Sequence, residues 1–171
     1  LAAIERQFHH LVRTVPSTGR LIVNAEAPAL ARVLAQGAWT PVVAFNSDDG
    51  WRAQPRAGGF VLQVSGQAET PAIDMPLPGA HNRANALAAM AAAAAVGVPL
   101  AALAPAMAAF RGVRRRLEVV GEVAGLRVYA DFAHHPTAIQ VTLAAPREHA
   151  PGRTLAVLAP RSHTMPPRQP A

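Results

Sequence analysis

The 171-residue sequence contains no cysteine, so disulfides and zinc sites built on thiolates are both excluded. Aromatic residues make up only 5% of the chain, with one tyrosine and two tryptophans, which disfavours a nucleic-acid-binding surface built on stacked bases. Charged residues are also few, at 15%, whereas 51% of the residues are apolar. This balance predicts a folded chain rather than a disordered one.

One long stretch, residues 86–110, lacks any charge and has the length of a bilayer-spanning helix. It consists mostly of alanine, which gains less from lipid than leucine or isoleucine does. The triplet Gly97-Val98-Pro99 also interrupts it. We therefore expect two packed helices of a globular domain at this place, and no membrane partner.

The charge that is present is unbalanced. The sequence has 16 Lys+Arg against 10 Asp+Glu, for a formal net charge of +6. A positive balance favours anionic partners, among them nucleotides, acidic metabolites and nucleic acids.

Hydrophobic periodicity predicts alternating helices and strands along the chain. Helices are expected over residues 1–15, from Pro28 to Gly37, from Ala80 to Gly97, on towards Phe110, and from near Thr137. Strands are expected over residues 20–24, 40–45, 60–64, 117–123, 126–129 and 154–158. This order of elements predicts an α/β fold with helices packed on a sheet.

The segment Gly79–Ala89 joins a glycine turn to an alanine-rich helix. His81, Asn82 and Asn85 fall in the first turns, where free backbone N–H groups and the positive end of the helix dipole gather. Asn82 and Asn85 are three residues apart and can present two amides on one side of the helix, which suits the edge of an adenine ring. Helix capping explains the same residues without a ligand, so this segment alone leaves both interpretations open.

The strands expected over residues 117–123 and 126–129 are separated by Ala124-Gly125 and should form a hairpin. A second group of polar residues surrounds this hairpin. Arg114–Arg116 precede it, and Asp131 and the pair His134-His135 follow it. An arginine can offset the charge of a transferring phosphoryl group, and an aspartate can accept from ribose hydroxyls or approach magnesium. Together with the helix start, these residues would form half of a nucleotide site, although a solvated arginine run is a simpler explanation. Adjacent histidines without a third ligand rarely form a metal site, so no metal ligand is assigned.

At these residues the sequence resembles the Mur ligases, the ATP-dependent amide-bond-forming enzymes of bacterial peptidoglycan synthesis. That family joins a His-Asn-x-x-Asn helix start, a Phe-x-Gly-Val-x-x-Arg junction and an Asp-Tyr/Phe-Ala/Gly-His-His-Pro loop. Here these motifs stand at residues 81–85, 110–116 and 131–136. Residues 7–16 and 160–165 are similar to the peptidoglycan-recycling branch of the family rather than to its alanine-adding branch.

The resemblance implies which part of a three-domain enzyme this chain represents. Residues 1–113 would be the later part of the central ATP-binding domain, and residues 114–171 the start of a Rossmann-like C-terminal ligase domain. The remainder of its own chain would supply an upstream UDP-sugar domain. The implied activity is ATP- and Mg²⁺-dependent joining of the murein tripeptide L-Ala-γ-D-Glu-meso-diaminopimelate to UDP-N-acetylmuramate, through an acyl phosphate. The implied location is cytoplasmic, with no nucleic-acid partner.

The family pattern also implies a role for each candidate residue. His81, Asn82 and Asn85 would approach adenine, Arg116 would face the phosphates, and Asp131 would meet the ribose. His134 and His135 would line the cleft near the incoming amine, so that Arg116 and the two histidines are the predicted catalytic residues. We expect the nucleotide-binding residues to converge on one cleft between the two pieces.

The sequence also departs from the family. It contains no Gly-x-x-Gly-Lys-Thr/Ser phosphate loop, so we expect the 171-residue chain alone not to hydrolyse ATP at a useful rate. Two other hypotheses remain open at this point. One is a basic nucleic-acid-binding module that uses Arg114–Arg116 and depends steeply on salt, and the other is a non-catalytic fragment that keeps the fold.

Overall fold

The computed structural model describes residues 1–67, 72–148 and 152–159, and within them it has the mixed α/β fold that the sequence predicts. The described helices are α1 (Ala2–Thr14), α2 (Pro28–Ala35), α3 (Ala80–Ala95), α4 (Leu100–Ala109) and α5 (Pro136–Ala144), and α5 continues into a 3₁₀ turn, Ala145–Glu148. The described strands are β1 (Leu21–Asn24), β2 (Val42–Phe45), β3 (Trp51–Arg56), β4 (Gly59–Val64), β5 (Ala72–Asp74), β6 (Glu118–Val123) and β7 (Leu126–Ala130).

The first five strands form one sheet in the order β1-β2-β3-β4-β5. β1 and β2 are parallel and are joined through α2, as a parallel pair requires a crossover connection. β4 pairs antiparallel with both β3 and β5, and β2 meets β3 in parallel at the pair Phe45–Trp51. The strands expected near residues 20–24, 40–45 and 60–64 are thus confirmed as β1, β2 and β4. The sequence did not predict β3 and β5.

The core gathers side chains from the antiparallel strands and from α3. Its largest fully buried members are Phe60 and Leu62 of β4, Ile73 of β5, and Leu87 and Met90 of α3. α4 lies against β5. Burial of such side chains is the main favourable contribution to folding, so β4, β5 and α3 are the elements on which this part of the fold depends.

α1 forms as predicted, but the side chains of its apolar stripe remain largely exposed. Ile4 is 58% exposed, Phe8 49% and Leu11 59%. The helix contacts α2 at Glu5. There the Arg32 guanidinium donates to Glu5 Oε1, with Nη2 at 2.6 Å, and this hydrogen bond with the Glu5 charge raises the pKa of Arg32.

α3 ends as the sequence predicts. Gly97 adopts a left-handed conformation with φ 92°, which a residue without Cβ reaches at no steric cost. Its N–H donates to the Ala94 carbonyl at 3.0 Å, and the Val98 N–H donates to the Ala93 carbonyl at 3.1 Å. This is the Schellman arrangement of a helix C-terminus. Among the residues described, no helix combines the length and hydropathy that a bilayer crossing requires.

The later part of the chain contains the expected hairpin. β6 and β7 pair antiparallel through a two-residue turn, Ala124-Gly125, in which both residues have positive φ, as in a type I′ turn. α5 begins at Pro136, close to the predicted helix start.

The strand predicted over residues 154–158 is wrong, because the structure describes these residues without regular structure. A strand needs a neighbour for its backbone N–H and C=O groups, and none of the described strands pairs with this segment. Residues 160–165, which are similar to the recycling branch of the family, lie outside the described residues.

The chain divides into two compact units. The first unit comprises Leu1–Pro76 and Asn82–Phe110. The second unit comprises Leu77–His81 and the chain from Arg111 onward. The division passes through the first turn of α3, so His81 belongs to the second unit and Asn82 to the first. The predicted boundary between residues 113 and 114 stays a prediction.

Candidate functional site

The start of α3 is set by a glycine that no other residue could replace without strain. Gly79 is buried and has φ 103°, in the left-handed region. A Cβ atom at this position would lie 2.8 Å from Cε1 of His81 and 2.8 Å from Cβ of Ala145. Gly79 therefore allows the helix start and the 3₁₀ turn of the second unit to approach one another closely, with His81 at the point of contact.

The candidate adenine-binding residues occupy the first two turns of α3, as predicted. His81 and Asn82 are half-buried, and Asn85 is exposed. The three-residue spacing of Asn82 and Asn85 places them on neighbouring positions of one helix face. An exposed amide at Asn85 keeps a donor and an acceptor accessible to a ligand.

Residues 115–117 form a turn in which each backbone N–H has an acceptor. The Arg115 N–H donates to Oε2 of Glu118 at 2.8 Å. The Arg116 N–H donates to the Val113 carbonyl at 3.0 Å, and the Leu117 N–H donates to Oδ2 of Asp131 at 2.8 Å. We call residues 115–117 the arginine turn. Its fixed backbone leaves the side chain of Arg116 exposed at the surface.

Asp131 follows β7 and uses both carboxylate oxygens within the second unit. Oδ2 accepts from Leu117, while Oδ1 accepts from the Ala133 N–H at 2.7 Å and, at a longer 3.4 Å, from Oγ1 of Thr142. The Phe132 N–H also donates to the Arg115 carbonyl at 2.9 Å. Asp131 thus joins the loop after β7 to the arginine turn, and the exposed carboxylate keeps lone pairs for a further donor.

The two histidines sit in the loop between Asp131 and α5. Nδ1 of His134 lies 3.0 Å from the Phe132 carbonyl, so a hydrogen bond there places the proton on Nδ1 and leaves Nε2 as an acceptor. The rings of Phe132 and His134 meet edge to face, with centroids 5.4 Å apart. His135 occupies the N-cap position of α5 without a side-chain capping bond. Both histidines are exposed.

The structure brings part of the predicted site together. Arg116 and Asp131 are linked through the arginine turn, and His134 follows in the same loop, all in the second unit. His81 belongs to that unit as well, whereas Asn82 and Asn85 belong to the first. That all of them line one cleft stays a prediction. In the described part of the chain, no three His, Asp or Glu side chains are grouped so as to hold a metal ion.

Two residues of this region were not identified from the sequence. Glu118 and Thr142 contact the arginine turn and Asp131 through their side chains. The sequence did contain a signal for Glu118, since it stands three residues after Arg115 and a carboxylate can accept from a nearby backbone N–H at that spacing. Thr142 lies 11 residues from Asp131, and no local pattern predicts that contact.

A separate polar cavity of about 440 Å³ lies in the first unit, at the carboxyl ends of β1 and β2. Asn46, which has φ 55°, donates from its amide to Oδ1 of Asn24 at 3.1 Å and to Oε2 of Glu26 at 3.3 Å. These side chains bond to one another, and none of the predicted site residues lines the cavity.

Comparison with known sequence families shows which domains the chain contains. The Mur ligase middle domain matches residues 1–93, and the Mur ligase, glutamate ligase domain matches residues 115–166. The chain belongs to the Mur ligase family. The α/β fold is therefore that of the Mur ligase middle domain followed by a Mur ligase C-terminal domain.

Individual Mur ligases resemble the chain along nearly its whole length. It is 44% identical over 170 residues to the UDP-N-acetylmuramate–L-alanyl-γ-D-glutamyl-meso-2,6-diaminoheptandioate ligase of Escherichia coli, and 41% identical to the ligase of the same name from Haemophilus influenzae. Each match covers 96% of this chain and 37% of the relative. The chain thus spans little more than a third of the length of these curated relatives.

A solved structure agrees with the sequence comparison. A murein peptide ligase from Psychrobacter arcticus superposes with a TM-score of 0.69 at 41% identity, over 96% of this chain and 36% of that one. With 41% identity, the two chains are similar in sequence as well as in fold.

Proposed function

We propose that this chain forms part of an ATP-dependent ligase that joins L-Ala-γ-D-Glu-meso-diaminopimelate to UDP-N-acetylmuramate in peptidoglycan recycling. The observation that carries the proposal is the identity of 41% and 44%, across both units, to two ligases named for this reaction. The UDP-N-acetylmuramate–L-alanine ligase of Acidothermus cellulolyticus is 38% identical over 165 residues, a lower identity than that of either ligase named for the tripeptide. A cytoplasmic location belongs to the same proposal.

Within this proposal, ATP supplies an activated phosphoryl group for the carboxylate that becomes the new amide. The residues of this chain bind and orient it. Asn82 and Asn85 present amides to the adenine edge beside His81, and Asp131 accepts from a ribose hydroxyl with a remaining lone pair. The guanidinium of Arg116 offsets the negative charge that develops on the phosphates during transfer. A cation held in position contributes to catalysis mainly in this way.

His134 and His135 have a place near the incoming amine in the same proposal. The Nδ1 contact of His134 orients its ring and leaves Nε2 to accept a proton or a hydrogen bond. Mg²⁺ dependence is a property of the intact ligase in this proposal, and we assign no residue of the described chain to the metal. Residues 1–113 and 114–171 are proposed to belong to the central and the C-terminal domain of that ligase.

Two substitutions test the nucleotide site in a ligase that carries this chain together with a phosphate loop. Asn85→Ala should weaken ATP binding by about 1–3 kcal/mol, because an adenine group buried in the bound state would be left without its hydrogen-bond partner. Arg116→Ala should act mainly on turnover, because its charge matters most as the phosphoryl group transfers. Matched controls are Gln63→Ala, which removes an exposed amide from β4, and Arg127→Ala, which removes a hairpin arginine paired with Glu122.

The measurements are ATP affinity by calorimetry and tripeptide-dependent phosphate release. Unchanged ATP affinity in Asn85→Ala would contradict the adenine assignment. A nucleic-acid-binding module predicts the opposite pattern, in which Arg116→Ala lowers oligonucleotide affinity and its salt dependence and Asn85→Ala is neutral. Wild-type turnover in both variants would contradict a role for either residue in the reaction.

A further inference from the structure

A carboxylate outside the predicted site fixes the backbone beside Arg116. Glu118 is the first residue of β6 and pairs with Ala130, the last residue of β7. Its Oε2 accepts from the Arg115 N–H at 2.8 Å. The neighbouring carboxylate, Asp131, accepts from Leu117 at the same distance. Two acidic side chains at one end of the hairpin therefore hold the two ends of the arginine turn.

The backbone that they hold would not form without such support. Arg115 has φ 58° and Leu117 has φ 51°, and residues with a Cβ rarely adopt this left-handed region. Leu117 is also 5% exposed, so its N–H needs an acceptor within the protein. Strained backbone persists where several surrounding interactions define it together, and here the carboxylates of Glu118 and Asp131 supply two of them.

We propose that Glu118 is a positioning residue for Arg116, which acts by fixing the arginine turn rather than by touching a substrate. This inference rests on the proposed function, because it requires that Arg116 act on the phosphates. Arg116 stands between the two left-handed residues, so the direction of its side chain follows from their backbone angles. In the part of the chain described, no acidic side chain pairs with Arg116, and its position depends on the turn itself.

Substitutions that alter the hydrogen bond between the Arg115 N–H and the Glu118 carboxylate test this role. Glu118→Ala removes the acceptor, and the turn can then relax. Glu118→Gln removes the charge but keeps an oxygen that accepts from the N–H, so it should restore function if the hydrogen bond is what matters. Glu122→Ala is the matched control, because Glu122 lies on the same strand and pairs with Arg127 instead.

The experiment measures kcat and the KM for ATP in a ligase that carries this chain and a phosphate loop. Glu118→Ala should lower kcat by about tenfold to a hundredfold, the range expected when a catalytic group is misplaced, with the KM for ATP changed less than threefold. Glu118→Gln should recover most of the lost turnover. Combining Glu118→Ala with Arg116→Ala should cost no more than Arg116→Ala alone, because both changes remove one contribution.

The outcomes separate this inference from the proposed function. If Arg116→Ala lowers turnover while Glu118→Ala matches Glu122→Ala, the positioning role is wrong and the proposed function stands. The role is also wrong if the two losses multiply in the double variant. If Arg116→Ala keeps wild-type turnover, the role of Arg116 in the proposed function fails, and the positioning role with it. Should Glu118→Ala not fold, Glu118→Asp, whose carboxylate reaches less far, takes its place, and wild-type kcat in that variant overturns the inference.

Discussion

Oδ2 of Asp131 accepts a hydrogen bond from the backbone N–H of Leu117 at 2.8 Å, and this contact closes the loop after β7 onto the arginine turn. The residue that the family pattern assigns to ribose thus also stabilises the backbone of its own unit. A substitution of Asp131 removes both contributions, so loss of nucleotide binding alone would not prove contact with ribose.

Asp131 should therefore contribute to stability as well as to binding. Asp131→Ala leaves the Leu117 N–H without its acceptor and should destabilise the chain by about 1–3 kcal/mol, the cost of an unsatisfied buried donor. Asp131→Asn keeps one accepting oxygen and should cost less. Urea unfolding of the 171-residue chain measures both. Equal unfolding midpoints for wild type and Asp131→Ala would show that this bond does not stabilise the fold.

Gly79 should tolerate no side chain. In Gly79→Ala the new Cβ would lie 2.8 Å from both His81 and Ala145, and φ 103° adds backbone strain. Gly97→Ala is the matched control at the other end of α3, since Gly97 has φ 92° and open space around its Cβ position. Gly79→Ala should lower the free energy of unfolding by at least ~1 kcal/mol more than Gly97→Ala, as measured by urea unfolding. Equal losses would mean that backbone strain alone matters at both positions.

The hairpin turn can be improved. Ala124 has φ 50°, a conformation that asparagine adopts more readily than alanine. Ala124→Asn should therefore stabilise the second unit by about 1 kcal/mol, with slower amide exchange in β6 and β7. Gly125→Ala should destabilise the hairpin, because Gly125 has φ 79°, which residues with a Cβ rarely adopt. No atom lies within 4 Å of the added Cβ, so the cost comes from the backbone conformation and not from a clash. A faster exchange in Ala124→Asn would contradict the turn assignment.

The 171-residue chain alone should release no phosphate from ATP above the buffer rate. All 16 of its basic residues are arginines, so it holds no lysine that could serve a phosphate loop. A malachite-green assay with and without the tripeptide tests this. The control is the same preparation of Arg116→Ala, because activity that survives in it comes from a contaminant. Tripeptide-stimulated release that disappears in Arg116→Ala would overturn the prediction.

The sequence predicted those elements whose pattern is local. The left-handed glycine after α3 and the two-residue turn after Val123 were both visible as glycines at the ends of periodic segments. β3 was missed because Arg52, Gln54 and Pro55 give it a polar pattern. It forms a strand because it pairs along its whole length with β4, and pairing of this kind overrides weak local preference.

Exposure was harder to predict than secondary structure. The apolar spacing of α1 predicted a helix with one apolar face, but not that the face stays open. For the site, the sequence supplied Arg116, Asp131 and the two histidines through the family motifs. The three-residue spacing between Arg115 and Glu118 was a local signal for their contact. The role proposed for Glu118 was not visible, because it depends on the positive φ of Arg115 and Leu117, which residue type does not predict.

The order of strands in the five-stranded sheet also has a consequence for how the chain folds. β3 and β4 are joined by the two-residue link Ala57-Gly58 and pair over six residue pairs, so they can meet after closing a very short loop. β1 and β2 can pair only after α2 has bridged them. Non-local pairing is the slower step in folding, and the hairpin of β3 and β4 should therefore acquire amide protection before the parallel pair does.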